Sequence, residues 1–378
     1  MQTLAASNGC VCVCLLPKMA DILTRFVARP AWQRWAVPAL LGAIAGLGQA
    51  PFDVWPATVL ALGALFIIYP ASQTTRQAIW HVWAFGFGYF AFSLRWIVEP
   101  FLVDVARHGW MAPFALFLMA AGGALFWALA AWVAARLAPG RIALLGLMLA
   151  GAEVLRALIL TGFPWALLGH VWITTGLAQL AAFGGPHLLT LLTVLASMAI
   201  AMLAGRDRIV GLVVLGLLVA GSFVMRPGAL PNLPQDAPVV RLVQPNALQH
   251  QKWDPAYADL FLNRMLLSTS AGEVPDLEAR AYNSLVVMGP GGQVQGIYDK
   301  RHLVPFGEYI PGAQLLGRVG AAGLARNLGV GFTPGAVPGP VDLPGIGAAV
   351  PLLCYEGIFA EEITYGDTRP RLLLLITN

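Results

Sequence analysis

The chain has 378 residues, 58% of them hydrophobic and 11% charged, with a formal net charge of +4. Soluble domains carry about 25% charged residues, so the composition is that of a membrane protein and excludes an ordinary soluble domain. The basic residues are scattered and form no stripe, which argues against a nucleic-acid partner.

Three of the four cysteines, Cys10, Cys12 and Cys14, precede Met19. Their spacing matches no zinc pattern of two separated pairs. Met19 is the expected true start, followed by a short basic amphipathic lead-in, "MADILTRFVARPAWQRW". Residues 1–34 are then a cytoplasmic segment. A cleaved signal peptide is disfavoured, because the apolar run comes before the basic residues.

A bilayer core needs about 20 mostly apolar residues per helix. Residues 35–226 contain seven candidate spans: Trp35–Ala50, Pro56–Tyr69, Ile79–Val98, Met111–Ala135, Ile142–Leu160, Leu177–Ala204 and Ile209–Met225. The first two are short, with Pro51 and Pro56 in the turn between them. With the N-terminus inside, the inner segments hold Lys18, Arg25, Arg29, Arg34, Arg76, Arg136, Arg141, Arg206 and Arg208. The outer segments hold Arg95 and Arg107, beside Glu99 and Asp104. Nine against two follows the positive-inside rule. Seven crossings put everything after Met225 outside the cytoplasm.

Trp80, Trp83, Trp96, Trp110, Trp165 and Trp172 lie near span ends and read as an aromatic belt. Glu153 and Arg156, three apart in the fifth span, read as a structural ion pair facing the bundle, ahead of a substrate contact. His170 and His187 read as interfacial packing. The six histidines form no H-x-x-x-H pair, so no metal site is expected.

From about Pro231 the texture changes, and residues 232–378 read as an α/β domain on the outer face. "APVVRLVQPN" reads as a buried strand and "QKWDPAYADLFLNRMLLSTS" as a helix. "AYNSLVVMGPGGQVQGIYDK" is a hairpin around a Pro-Gly-Gly-Gln turn. "GAAVPLLCYEGIF" and "RLLLLITN" are further apolar strands. There is no internal repeat, coiled coil or phosphate-binding glycine loop.

A lone cysteine is ordinarily a small buried hydrophobe. Cys354, however, ends a strand, where α/β sheets build their sites, and polar residues follow at once. Lys300 ends the second hairpin strand, and Glu308 lies in a Pro-Phe-Gly-Glu turn. Both suit a solvated loop equally well. A lysine beside a cysteine would favour the thiolate nucleophile and stabilise an oxyanion.

"YDKRHLVPFGEYIP" and "LLCYEGIF" together resemble the carbon–nitrogen hydrolase (nitrilase) superfamily, with its Glu-Lys-Cys triad. Seven spans ahead of such a domain resemble the apolipoprotein N-acyltransferase family, as do "GLGQAPF" and "GFPWALLGH". The resemblance runs from about Trp35 to the last residue. It implies a polytopic α-helical bundle followed by an α/β nitrilase-like domain, an αββα sandwich, incomplete here. It implies Cys354 as the nucleophile that takes an acyl chain from a phospholipid as a thioester, and Lys300 as the triad lysine. Glu308 and Glu356 match accessory acidic positions, and Tyr355 a pocket residue. The acceptor is the α-amine of a diacylglyceryl-cysteine on a lipoprotein. No cofactor or metal is implied. The expected setting is the bacterial inner membrane, as a monomer with its catalytic domain in the periplasm.

The chain departs from that family at the triad glutamate. The family's "WPE" strand should follow "SAGEVPDL", but "EARAYNSLVVM" comes next and Trp-Pro-Glu occurs nowhere. Glu273 and Glu278 flank the gap without matching the motif. The end is also expected to lack further strands and an eighth span, which implies a fragment, a deletion product or a damaged gene. The alternatives are a membrane-tethered amidase or nitrilase, a non-functional fragment, and a transporter with an outer receptor domain. The last leans only on Glu153 and Arg156.

Overall fold

The computed structural model describes residues 30–102, 105–159, 162–205, 207–225, 282–289, 293–305, 308–309, 332–336, 339–359 and 369–377. The expectations on the segment through residue 29, on Asp104 and Arg206, and on residues 226–281, including Glu273 and Glu278, lie outside the described residues. The chain divides into two units, Met1–Ala229 and Leu230–Asn378.

In the first unit every long apolar run forms a helix: α1 (Ala31–Ala45), α2 (Trp55–Ile68), α3 (Thr75–Ser93), α4 (Ala112–Leu137), α5 (Ile142–Leu158), α6 (Ala181–Leu203) and α7 (Arg208–Val224). Their ends follow local chemistry. Pro56 and Pro113 sit in the first turns of α2 and α4, where a missing N–H costs nothing. The Thr74 side chain caps α3 by accepting from Gln77 N at 3.2 Å. In α6 the helix breaks at Gly184 and Gly185, the latter at φ +61, just before Pro186.

Two helical stretches have the length and apolarity to cross a bilayer, Gly109–Leu137 and Gly176–Leu203, 29 and 28 residues long. Trp55–Ala71 and Arg208–Val224 are shorter apolar helices.

Helix α3 packs between α1 and α4 by two devices. A side chain on Gly42 of α1 would collide with the Phe85 carbonyl, and one on Gly88 of α3 with the Ala39 carbonyl. The two backbones can approach this closely only because neither position carries a Cβ. On α4, Ala120, Ala124, Trp127, Ala131 and Ala134 are buried at steps of three and four residues, a stripe of small side chains with one large one. Such stripes are how helices associate where lipid removes the hydrophobic drive. Trp127 fills the gap they leave, its ring 5.2 Å from that of Tyr89 and 5.1 Å from that of Phe90. The opposite face of α4 exposes Phe114, Phe117, Leu118 and Leu125.

One expected belt residue belongs elsewhere. Trp172 is 3% exposed, with its indole N–H donating to Thr193 Oγ1 at 2.8 Å. Proximity to a span end placed it at the surface in the sequence, but the 3-10 turn Leu168–Trp172 folds it into the bundle.

The second unit contains β1 (Ser284–Met288) and β2 (Val294–Asp299), an antiparallel hairpin closed by Gly289 N–H to Gln293 O at 2.9 Å. A second sheet has β4 (Gly347–Leu353) between β3 (Val341–Leu343), antiparallel to it, and β5 (Leu372–Ile376), parallel to it. Ala349 to Leu353 are all buried, as suits a central strand covered on both faces. Leu285, Val287 and Tyr298 of the hairpin share one core with Val341, Leu343, Ala349, Leu353 and Leu374. The helical layers expected of a sandwich lie outside the described residues.

Candidate active site

The site is built where β2 and β4 end. Strand β4 is buried to Leu353, and the next residue, Cys354, turns the chain into the 3-10 helix Cys354–Ile358. It does so at φ +49, the left-handed region, and it is exposed. A non-glycine residue there costs about 1–2 kcal/mol. The turn thus lifts the thiol out of a strand whose other residues are core.

Lys300 follows β2 and is 1% exposed. Its Nζ donates to Glu308 Oε1 at 2.9 Å and Oε2 at 2.7 Å. Glu308 is fixed in turn by the Val304 N–H at 2.8 Å and Asn283 Nδ2 at 2.9 Å. The Lys300 backbone is also held, its N–H donating to Asn283 O at 2.7 Å and its carbonyl accepting from Gly335 N at 3.0 Å. A buried ammonium is tolerated only when paired and bonded in this way. The hydrogen bonds of this ammonium go to Glu308 and not to Cys354 Sγ.

Glu356 joins the two strand ends. It is fully buried, and Oε1 accepts from Tyr298 Oη at 3.0 Å, Arg301 N at 2.7 Å and His302 N at 3.1 Å. Oε2 accepts from Leu353 N at 2.8 Å. One carboxylate therefore binds the residue before Cys354 and the two residues after Lys300. An anion that accepts four hydrogen bonds suits this role, because every donor is satisfied by a single side chain.

Tyr355 is buried, with its ring edge-on to His302 and Phe359 at 5.5 and 5.1 Å. Burial first, and then the neighbouring Tyr309, push its phenol up to about 12. His302 stacks flat on Phe359, centroids 3.8 Å apart.

Of the residues singled out in the sequence, Lys300 and Glu308 form one pair, while Glu356 and Tyr355 lie under the turn that carries Cys354. The sequence reading passed over Tyr298 and Asn283. Tyr298 lies on β2 two residues before Lys300, which directly follows that strand, so period-two alternation was the available signal. Asn283 carried no signal, since its role depends on the register of the hairpin. Among the described residues no three His, Cys, Asp or Glu side chains gather as metal ligands would.

In the first unit Glu153 and Arg156 form the expected ion pair, at 3.0 Å, and both are buried. Glu153 also accepts from Trp127 Nε1 at 2.8 Å and Leu168 N at 3.2 Å. Arg156 donates to the carbonyls of Phe163 and Trp165 at 2.5 and 2.8 Å. The pair thus secures the loop after α5 from inside the bundle, a structural role.

Comparison with known proteins places both units. Residues 41–199 match the family model described as the apolipoprotein N-acyltransferase N-terminal domain, and residues 263–369 match that of carbon-nitrogen hydrolase. The apolipoprotein N-acyltransferase of Caulobacter vibrioides is 32% identical over 94% of this chain and 78% of its own length. That of Rhodopseudomonas palustris is 32% identical over 95% and 80%, and that of Sinorhizobium fredii 30% over 90% and 77%. The first two alignments run over 418 and 433 positions, more than the 378 residues of this chain. Both relatives therefore carry internal residues with no counterpart here.

Proposed function

The chain belongs to the apolipoprotein N-acyltransferase family, and we propose that Cys354 is the thiol through which it moves a fatty acyl chain from a phospholipid to the α-amine of a diacylglyceryl-cysteine. The observation that carries this is the exposed, left-handed Cys354 at the end of β4, bound through Glu356 to the turn that begins at Lys300.

In the first half-reaction the thiolate attacks the ester carbonyl carbon of the phospholipid. The carbon–oxygen bond breaks, the glycerol oxygen takes the proton given up by the thiol, and a lysophospholipid leaves. In the second, the lipoprotein amine attacks the thioester carbonyl. The carbon–sulfur bond breaks, and the proton lost by the amine returns to the thiolate. Each half passes through an oxyanion, and a fixed cation such as Lys300 is suited to stabilise both it and the thiolate. Glu308 keeps that cation in place, Glu356 keeps the two turns in register, and Tyr355 shapes the pocket wall as a neutral phenol.

The setting we propose is the bacterial inner membrane, with seven spans, a cytoplasmic N-terminus and a periplasmic second unit. Two supports are independent. One is the basic-residue bias of the loops. The other is that two loops assigned to the outer side both meet the same end of the third span: Phe52 lies 5.7 Å from Phe92, and Trp165 5.1 Å from Trp96. Relatives that match along the bundle as well as the second unit favour acyl transfer over a tethered amidase.

The test is mass spectrometry of the purified protein after incubation with phosphatidylethanolamine. One hydroxylamine-labile acyl chain is expected on the peptide containing Cys354, and none in Cys354→Ala. An acyl chain on another residue, or none on the unaltered protein, would overturn the assignment.

A further inference from the structure

The motifs "GLGQAPF" and "GFPWALLGH" have no part in the acyl-transfer steps above, yet the fold brings them together. Gln49 Nε2 donates to Tyr89 Oη at 2.6 Å and to Leu167 O at 3.0 Å, and Tyr89 Oη donates to Ala166 O at 3.1 Å. The non-glycine residues at positive φ among the described ones are Asp53, Ala166 and Cys354, so each motif contains or adjoins a strained turn. Strain of this kind collects at functional sites.

What these turns fix is a pair of aromatic side chains beside the end of α3. Phe52, from the first motif, faces Phe92, and Trp165, from the second, faces Trp96. The Arg95 guanidinium lies over both rings of the Phe52–Phe92 pair, 4.9 Å from each ring centroid. One of its N–H groups is committed, NH1 to Phe92 O at 3.0 Å. Among the described residues no carboxylate pairs with it; the exposed Glu99 forms no bond to it. Phe52 and Trp96 remain 47% and 45% exposed.

A guanidinium has five donors in a planar fork that matches two oxygens of a phosphate. The two adjoining rings hold it without using those donors. Half-exposed aromatic side chains around it are what the headgroup level of a bilayer selects. We propose that Arg95, with Phe52, Phe92 and Trp96, forms a subsite for the phosphate of a membrane phospholipid at the extracytoplasmic end of the bundle. That this lipid is the acyl donor rests on the acyl-transfer reading above.

The experiment is native mass spectrometry of the detergent-purified full chain with phosphatidylethanolamine, with diacylglycerol as the phosphate-free control and inorganic phosphate as competitor. The chain is expected to retain phosphatidylethanolamine over diacylglycerol. Retention should fall about tenfold or more in Arg95→Gln, the scale of losing hydrogen bonds to a charged group. Should Arg95→Gln fail to fold, Arg95→Lys keeps the charge but not the fork and should still retain less lipid than the unaltered chain. Equal retention of both lipids, or undiminished retention in the folded variant, overturns the subsite. Displacement of the lipid by millimolar inorganic phosphate would reassign it to a free anion and overturn the lipid half. Acyl labelling of Cys354 in the same samples separates the two readings. Lipid retained without an adduct removes the acyl-transfer reading alone, and an adduct with Arg95→Gln retention unchanged removes the subsite alone.

Discussion

Glu356 has no contact with solvent, yet four donors depend on it: Tyr298 Oη and the backbone N–H groups of Arg301, His302 and Leu353. Glu356→Ala would remove the acceptor of these four hydrogen bonds, at about 1–3 kcal/mol for each donor that is then left buried and unmet. The expected outcome is a lower melting temperature together with slower alkylation of Cys354 by iodoacetamide, because the thiol turn loses its anchor. A Glu356→Ala protein with the original melting temperature and alkylation rate would show that the carboxylate does not organise the site. Tyr355 gives a pH test. Its folded-state value of about 12 lies above the ordinary 10.0. Between these values the unfolded chain has lost the proton and the folded chain keeps it, so the unfolded state binds fewer protons and stability falls as pH rises. The contribution is whole below pH 10 and gone above about 12. Tyr355→Phe should therefore show a shallower loss of stability across that alkaline window in a urea titration, and an unchanged slope would contradict the assignment. Cys354 and Lys300 were legible in the sequence because each ends an apolar strand beside a recognisable motif. The partners of Glu356 were not, since three of its four donors lie more than fifty positions away and join it only through the fold.

At the scale of elements, the contact of α1 with α3 depends on Gly42 and Gly88. A methyl group on Gly88 would meet the Ala39 carbonyl, whereas one on Gly122 of α4 would meet nothing within 4 Å. Gly88→Ala should cost about 1–3 kcal/mol, as overpacking does, and Gly122→Ala should be neutral or slightly stabilising through helix propensity. Thermal unfolding in detergent compares them directly, and equal effects would mean that α1 can move aside. The helices were legible because apolar runs of this length leave little else for a backbone to do than satisfy its own hydrogen bonds. Even the two short runs became short helices, of 15 and 14 residues. Trp172 and the break in α6 were less legible. A tryptophan near a span end is interfacial or buried according to the turn that precedes it, and the Gly-Gly-Pro break was hidden inside a continuous apolar stretch.

For the whole molecule, the proposed seven-span topology puts residues 206 and 231 on opposite sides of the membrane, so reporter fusions after Arg206 and after Pro231 should light up in different compartments. The same compartment for both would end the seven-span topology. Turnover is expected to depend on another whole-molecule property, the internal residues that the relatives have and this chain does not. In the family's pattern a Trp-Pro-Glu strand supplies the base that takes the thiol proton, and no Trp-Pro-Glu occurs here. The site retains an exposed thiol and a lysine held by Glu308, the two groups the proposed first half-reaction uses. The second half-reaction is more demanding. The incoming amine must lose a proton before it can displace sulfur, and a missing general base costs about 10²–10⁴ in rate. Cys354 should therefore accumulate its acyl chain while triacylated product forms slowly. Insertion of a relative's strand–helix–strand segment after Leu277 should raise product formation by about that factor without raising the initial acylation of Cys354 to the same degree. Purified protein, phosphatidylethanolamine and a diacylglyceryl peptide, followed by mass spectrometry of both thioester and product, measure the two halves separately. Fast turnover by the chain as it stands, unchanged by the insertion, would mean that Glu308 or another carboxylate already serves as the base.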